Sequence, residues 1–88
     1  MKATFSVEVR DKDYNLYKTE NGRKVLYFNF EGELDFAEHI CRQTFEDYKA
    51  ICKEGSDINI EVKVLNSIAG VYMTLYSFYG ANNKFIKH

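Results

Sequence analysis

The residues best suited to chemistry are two cysteines and a histidine in the middle of the chain, Cys41, Cys52 and His39. A thiol beside an imidazole can act as a nucleophile with its base. His39 and Cys41, however, lie two residues apart in a segment of helical periodicity, so their side chains face different directions. Both cysteines fall on the apolar stripe of that segment, where thiols are usually buried. We therefore predict two buried free thiols in a protein that is not an enzyme.

A disulfide and a metal site are also not expected. The cysteines are eleven residues apart in one predicted helix. At about 1.5 Å rise per residue they lie roughly 16 Å apart, whereas a disulfide requires Cα atoms within roughly 7 Å. The sequence has no Cys-x-x-Cys motif, no His, Asp or Glu cluster at ligand spacing and no glycine-rich phosphate loop. It therefore predicts no metal and no cofactor.

The strongest functional clue is the segment of residues 70–80, which is apolar or aromatic on both faces. A strand that covers a single core should alternate apolar with polar residues. A large exposed surface of aromatic side chains is typical of an interaction site, and tyrosine is enriched in the hot spots of protein interfaces. We predict a partner-binding face that carries Tyr27, Tyr72, Thr74, Tyr76, Phe78 and Lys63.

Alternating apolar and polar residues predict the strands that would position this face. The predicted strands cover residues 4–10, 14–19, 24–31, 57–65 and 71–79. Asn21-Gly22 separates the second and third, and both residues accept the positive φ of a type I′ hairpin turn. Ile68 and Ala69 make the turn before the last strand less polar than most turns.

One helix is predicted between the third and fourth strands. Asp35 can cap it, with Glu38 three residues on as the reciprocal partner of a capping box. Gly55 suits the left-handed position after its end. The exposed side of the helix is acidic and carries Glu38, Glu46, Asp47 and Glu54. Such a face can imitate nucleic-acid phosphates toward a basic protein, although ordinary solvation of a helix explains most of it.

The order β-β-β-α-β-β predicts an α+β fold, in which a mainly antiparallel sheet of four to five strands carries one α-helix packed on one face. Eighty-eight residues make a single domain, 1–88. Its tail, 81–88, is either loosely ordered or folded back onto the sheet. Because one helix covers one face, the other face is open to water or to a partner.

Composition favours a cytoplasmic protein encoded by an AT-rich genome such as that of a phage. Of the 88 residues, 36 are Lys, Asn, Ile, Tyr or Phe, whose codons are AT-rich. We find no signal peptide and no apolar run of transmembrane length, so no membrane partner is expected. The net charge of −1 argues against a strongly electrostatic nucleic-acid binder.

The favoured hypothesis is a small non-enzymatic protein-interaction module. It would be an inhibitor from a mobile element that masks a host nucleic-acid-targeting protein, or a homodimer across the tyrosine-rich face. The alternative is a module for single-stranded RNA or DNA, since residues 24–30 are similar to the aromatic strand of RNA-recognition modules, without its glycine. Two structural explanations also remain open. The chain's own residues 85–86 or 11–15 could cover the rings, or a bulge in the last strand could exchange its faces.

Overall fold

The structure is a computed structural model that describes residues 2–18, 27–52 and 55–88. Within these ranges the chain forms one antiparallel sheet of five strands and a single α-helix. The strands are β1 Lys2–Arg10, β2 Tyr27–Glu33, β3 Asn59–Asn66, β4 Val71–Tyr79 and β5 Lys84–Lys87, and the helix is α1 Ala37–Lys49. The strands lie side by side in the order β2-β1-β3-β4-β5. The predicted α+β class is confirmed.

The order of the elements differs from the predicted β-β-β-α-β-β in the segment after β1. Residues 14 and 15 form a bend, and in this described part of the predicted second strand isolated bridges occur at residues 16 and 18, the first of which joins Leu16 to Arg10. The Tyr17 amide also donates to the Val9 carbonyl at 2.8 Å. The Asp11 carboxylate accepts hydrogen bonds from the amides of residues 13 and 15, each at 2.9 Å. Tyr14 has a φ of 68°, which lies outside the β region. The tail supplies the fifth strand of the described sheet, so the order of the elements in the described residues is β-β-α-β-β-β.

The predicted hairpin turn at Asn21-Gly22 lies outside the described residues. The described part of the strand predicted over 24–31 is the beginning of β2, which pairs antiparallel with β1. In the tail, residues 84–87 fold back onto the sheet as β5 and pair with β4. The two outer strands of the described sheet are thus β2 and β5.

The core lies between α1 and one face of the sheet. The sheet supplies the alternating residues of β1 and β3, all fully buried, which are Phe5, Val7, Val9, Ile60 and Val62. The helix supplies Ala37, Cys41 and Phe45. Because α1 lies chiefly across β3 and β4, the edge strand β2 receives less cover. Phe30 of β2 stacks on Phe5 with ring centroids 6.3 Å apart and is still 40% exposed.

A β-bulge in β4 changes which side chains of that strand face the core. Val62 lies opposite Tyr76, but its neighbour Lys63 lies opposite Thr74, so Leu75 is an extra residue on β4. An extra residue shifts the two-residue alternation of a strand by one position. Tyr76 therefore lies on the same face as Val62, which is the face that packs against α1.

The prediction that Tyr76 and Phe78 lie on the open face with Tyr72 and Thr74 is therefore wrong. Phe78 is 5% exposed, and its ring centroid lies 4.5 Å from that of Phe45 in α1. Tyr76 stacks on Phe85 of β5 at 5.1 Å. The helix covers Phe78, and the tail covers part of Tyr76, which is half-buried. A bulge and a cover from residues 85–86 were both among the explanations that the sequence left open.

The helix begins and ends differently from the prediction. A 3-10 turn, Leu34–Phe36, precedes α1 and contains Asp35, so the residue at the N-cap is Phe36 and the expected Asp35 capping box is wrong. The helix ends at Lys49, well before Gly55, although Gly55 does adopt a left-handed φ of 58°. No helix in the described ranges is long and apolar enough to cross a membrane.

Truncation of one ring from each face of β4 tests this arrangement. Phe78→Ala should lower the free energy of unfolding by about 3–5 kcal/mol, the usual cost of removing a buried phenylalanine ring. Tyr72→Ala, the matched control on the same strand, should cost clearly less, about 1 kcal/mol, because this side chain is 41% exposed. Urea unfolding followed by circular dichroism measures both. Equal losses would contradict the position of the bulge.

Candidate interaction surface

The face of the sheet opposite α1 carries a network of charged side chains centred on Glu61, which is 6% exposed. The Tyr14 hydroxyl donates a short hydrogen bond to one carboxylate oxygen of Glu61. The Thr74 hydroxyl donates to the other at 3.0 Å. Lys63 Nζ lies 3.5 Å from Glu61 Oε1, and Arg10 Nε lies 3.6 Å from Glu61 Oε2. A buried carboxylate needs such partners to remain charged.

A second carboxylate, Glu8 of β1, balances the charge of the network. Arg10 donates to it from Nη2 at 2.9 Å, and Lys63 Nζ lies 3.3 Å away. Two acids and two bases thus neutralise each other on this face. Lys63, which the sequence assigned to partner binding, is held between Glu8 and Glu61. Moving it to a phosphate would break both ion pairs.

The turn after β1 closes over one end of this face. The Arg10 guanidinium lies 5.0 Å from the centroid of the Tyr14 ring, and the Tyr14 and Tyr79 rings lie 5.8 Å apart. The amide of Asn59 donates to the carbonyl oxygen of Asp11 at 2.9 Å, which ties the turn to β3. The turn formed by residues 11–15, one of the two segments considered from the sequence as a cover, therefore does cover part of the sheet.

The surroundings of Glu61 change two pKa values. Burial alone would raise the pKa of Glu61, but the hydrogen bonds from Tyr14 and Thr74 and the positive charges of Lys63 and Arg10 outweigh it and lower that pKa. Burial, followed by the hydrogen bond to Glu61, raises the pKa of Tyr14. Glu61 therefore stays ionised as an acceptor and Tyr14 stays protonated as its donor.

The lowered pKa of Glu61 gives stability a defined dependence on pH. The ionised carboxylate stabilises the fold fully above its ordinary pKa of 4.5, and this contribution is lost as the pH falls through the lower folded-state value. Wild type should therefore exceed Glu61→Gln in unfolding free energy near neutral pH, and the difference should shrink below pH 4.5. Denaturant titrations across acidic pH measure it. Glu46→Gln, at an exposed helix position, is the control, and a difference that does not vary with pH would contradict the assigned role of Glu61.

The six residues predicted to bind a partner are only partly brought together. Tyr72, Thr74 and Lys63 share the open face, with Lys63 directly opposite Thr74 in the register. Thr74 and Lys63 are engaged by the network, whereas Tyr72 is 41% exposed. Tyr76 and Phe78 lie on the other face, and the side chain of Tyr27 lies outside the described residues. No tyrosine-rich patch is thus assembled from the described members of the set.

The predicted acidic face of α1 is partly neutralised by its own neighbours. Glu38 lies 3.3 Å from Arg42, and Glu46 lies 2.8 Å from Lys49. Asp47 accepts a hydrogen bond from the Gln43 amide at 2.9 Å. Glu54, the fourth predicted acid, lies outside the described residues. Ion pairs one turn apart on a solvated helix account for this face without a partner.

Four exposed apolar residues lie instead around the turn between β3 and β4, and we call them the apolar end. They are Ile68, Val71, Tyr72 and Met73, with exposed fractions of 98%, 53%, 41% and 54%. The sequence gave a partial signal, since Ile68 and Ala69 stand where turns are usually polar. Sequence patterning otherwise missed this surface. Val71 and Met73 lie opposite Asn66 and Val64, on the face that α1 covers farther along the sheet, whereas Tyr72 lies opposite Leu65 on the open face.

The turn that carries Ile68 is internally hydrogen-bonded. The Asn66 side-chain oxygen accepts from the amides of Ile68 and Ala69 at 3.1 and 3.0 Å. The Gly70 amide donates to the Asn66 carbonyl at 2.8 Å, and Gly70 takes a φ of 71°, which suits glycine. Ile68 is therefore presented to solvent on a turn with a defined conformation.

A cleft of about 590 Å³ lies beside this turn. Its apolar lining comes from four strands or turns and consists of Ala3, Leu34, Val64, Leu65 and Leu75, while Lys2 and Glu31 add one charge of each sign. Ser67, which directly precedes Ile68, also lines it. We call it the end cleft. An exposed apolar side chain and an apolar cleft thus occur side by side at the same end of the sheet.

The cysteines show the burial expected from the sequence. Cys41 is fully buried and Cys52 is 8% exposed, and burial raises the pKa of the Cys41 thiol to about 12. Nucleophilic thiols require the opposite shift, toward the thiolate at neutral pH. Among the described residues, no group of three or more His, Cys, Asp or Glu side chains is arranged to hold a metal ion.

Thiol labelling tests the burial of Cys41. In the native protein at neutral pH, Cys41 should react with a chromogenic disulfide reagent at least about a hundredfold more slowly than in denaturant, since the reactive thiolate is disfavoured by burial. Mass spectrometry after proteolysis assigns the label to each cysteine. Rapid native labelling of Cys41 would contradict its placement in the core and would reopen a catalytic role.

No protein-family model, curated protein or solved structure gave a match with this chain. The surfaces described above are therefore the basis for a functional inference.

Proposed function

We propose that this chain is a small non-enzymatic protein-interaction module that binds a protein partner through the apolar end. The observation that carries the proposal is Ile68, which is 98% exposed on a hydrogen-bonded turn beside three other exposed apolar side chains. Exposed apolar side chains grouped at one end of a domain are a common mark of protein binding sites. A turn whose backbone is held in one conformation before binding loses little conformational entropy when it docks.

Charge favours a protein over a nucleic acid as the partner. Single-stranded nucleic acids are bound by cations that follow the phosphates and by rings on which bases stack. Here Arg10 and Lys63 are held by carboxylates on the open face. Tyr76 and Phe78, two of the rings that such a module would need, lie on the face that packs against α1. These positions support a protein partner over the alternative of an RNA- or DNA-binding module, which was based in part on these two rings and on Lys63.

A more specific form of the proposal is an inhibitor from a mobile element that masks a host protein. The small size and the AT-rich codon composition support that form. The acidic side of α1 supports it less than the sequence suggested, because Glu38 and Glu46 are paired with Arg42 and Lys49. The buried cysteines are compatible with a cytoplasmic setting, where thiols stay reduced.

Affinity capture with one changed side chain tests the proposed function. Tagged wild type expressed in its native host should enrich a partner, and Ile68→Asp should reduce that enrichment at least about tenfold, because a charge replaces a buried apolar anchor. Ile51→Asp is the matched control, since Ile51 is also exposed, at 72%, but follows α1 near the other end of the sheet. Quantitative mass spectrometry compares the three baits. Equal enrichment by wild type and Ile68→Asp would overturn the proposal.

A further inference from the structure

We infer that the partner of the apolar end is a second copy of this chain, with Ile68 of each copy seated in the end cleft of the other. This inference rests on the proposed function and names the occupant of the same surface. It differs from the dimer expected from the sequence, which would have used the tyrosine-rich face.

The first support is the position of the two features. Ser67 lines the end cleft and Ile68 follows it directly, so the projecting side chain and the recess are neighbours. If a two-fold axis relates two copies, the same rotation places Ile68 of each copy near the end cleft of the other. Such an interface needs only one self-complementary patch and closes as a dimer.

The second support is that Ile68 does not fill the cleft of its own molecule. Its exposed fraction is 98% although the cleft is adjacent, and the Asn66 hydrogen bonds hold the turn in that position. The cleft is therefore open to a side chain from another molecule. A volume of about 590 Å³ falls within the range of about 300–1,000 Å³ that is typical of binding pockets.

The third support is electrostatic. The cleft is lined mainly by apolar side chains, and its two charged residues, Lys2 and Glu31, have opposite signs. A two-fold arrangement can set Lys2 of one copy against Glu31 of the other, whereas a rim of one sign would repel its own copy. The net charge of −1 adds little repulsion between copies. Since the patch occupies one end of a small domain, we expect an interface at the low end of the usual size range and micromolar affinity.

Sedimentation equilibrium of the purified protein is the first test. Wild type should show a monomer–dimer equilibrium at high micromolar concentration. Ile68→Asp and Leu34→Asp, which change the projecting residue and the cleft, should each raise the dissociation constant at least about tenfold. Both residues are exposed in the monomer, at 98% and 39%, so the variants should fold, and circular dichroism checks this. Ile51→Asp should leave the equilibrium unchanged.

Disulfide trapping tests the reciprocal geometry. A mixture of Ile68→Cys protein and Leu34→Cys protein, oxidised together, should form a crosslink between the two species, because the projecting residue of one lies in the cleft of the other. The native cysteines are buried. A mixture of Ile51→Cys with Leu34→Cys is the control, and no excess of crosslink over that control would overturn the proposed docking.

The results separate this inference from the proposed function. Wild type that remains monomeric at high micromolar concentration overturns the dimer. So does a dimer that is unaffected by Ile68→Asp. If another host protein is still captured through Ile68 in either case, the interaction module stands and only the identity of its partner changes. If Ile68 affects neither capture nor self-association, both proposals fail.

Discussion

One extra residue in β4 decides which side chains of this strand contribute to the core. The bulge at Leu75 turns Tyr76 and Phe78 toward α1, where Phe78 packs on Phe45 with ring centroids 4.5 Å apart. It leaves Thr74 on the other face, within hydrogen-bonding distance of Glu61. A strand that is apolar on both faces is thereby divided between two environments. The first half of β4 remains exposed, and the second half completes the core beneath a helix of 13 residues.

The face without a helix is closed by charge and by a turn. Glu61 is 6% exposed in the middle of the sheet and would destabilise the fold if it stood alone. Tyr14, Thr74, Lys63 and Arg10 surround it, so the charge of this carboxylate is balanced within the molecule. The apolar end, rather than the centre of the sheet, carries the most exposed apolar side chain among the described residues, Ile68. The proposed binding site thus lies outside the region in which the side chains already bind one another.

Much of the fold could be predicted because β1 and β3 alternate strictly, and such alternation has one solution when one face is buried. The bulge could not be predicted, since Thr74-Leu75-Tyr76 fits a regular strand and a bulged one equally well. Only the pairing with β3 determines which of the two forms. Tyr14 was predicted to lie in a strand, but its φ is 68°. This conformation accompanies contacts with Asp11 and Glu61, which the residue type of Tyr14 does not reveal. The prediction of the candidate site was therefore wrong at Tyr76 and Phe78, where pairing with β3 rather than the local sequence pattern determines which face a side chain occupies.

The bulge also has an evolutionary consequence. Loss of the single codon for Leu75 would restore regular pairing along β3 and β4 while the strand order β2-β1-β3-β4-β5 stayed the same. Each remaining β4 side chain would keep its face, because Thr74 and Tyr76 already lie opposite the neighbouring residues Lys63 and Val62. Loss of the bulge with Leu75 retained would have the other effect, since the side chains on one side of it would exchange their faces relative to those on the other side. Homologues that lack this residue should therefore keep both the architecture and the distribution of rings between interior and surface.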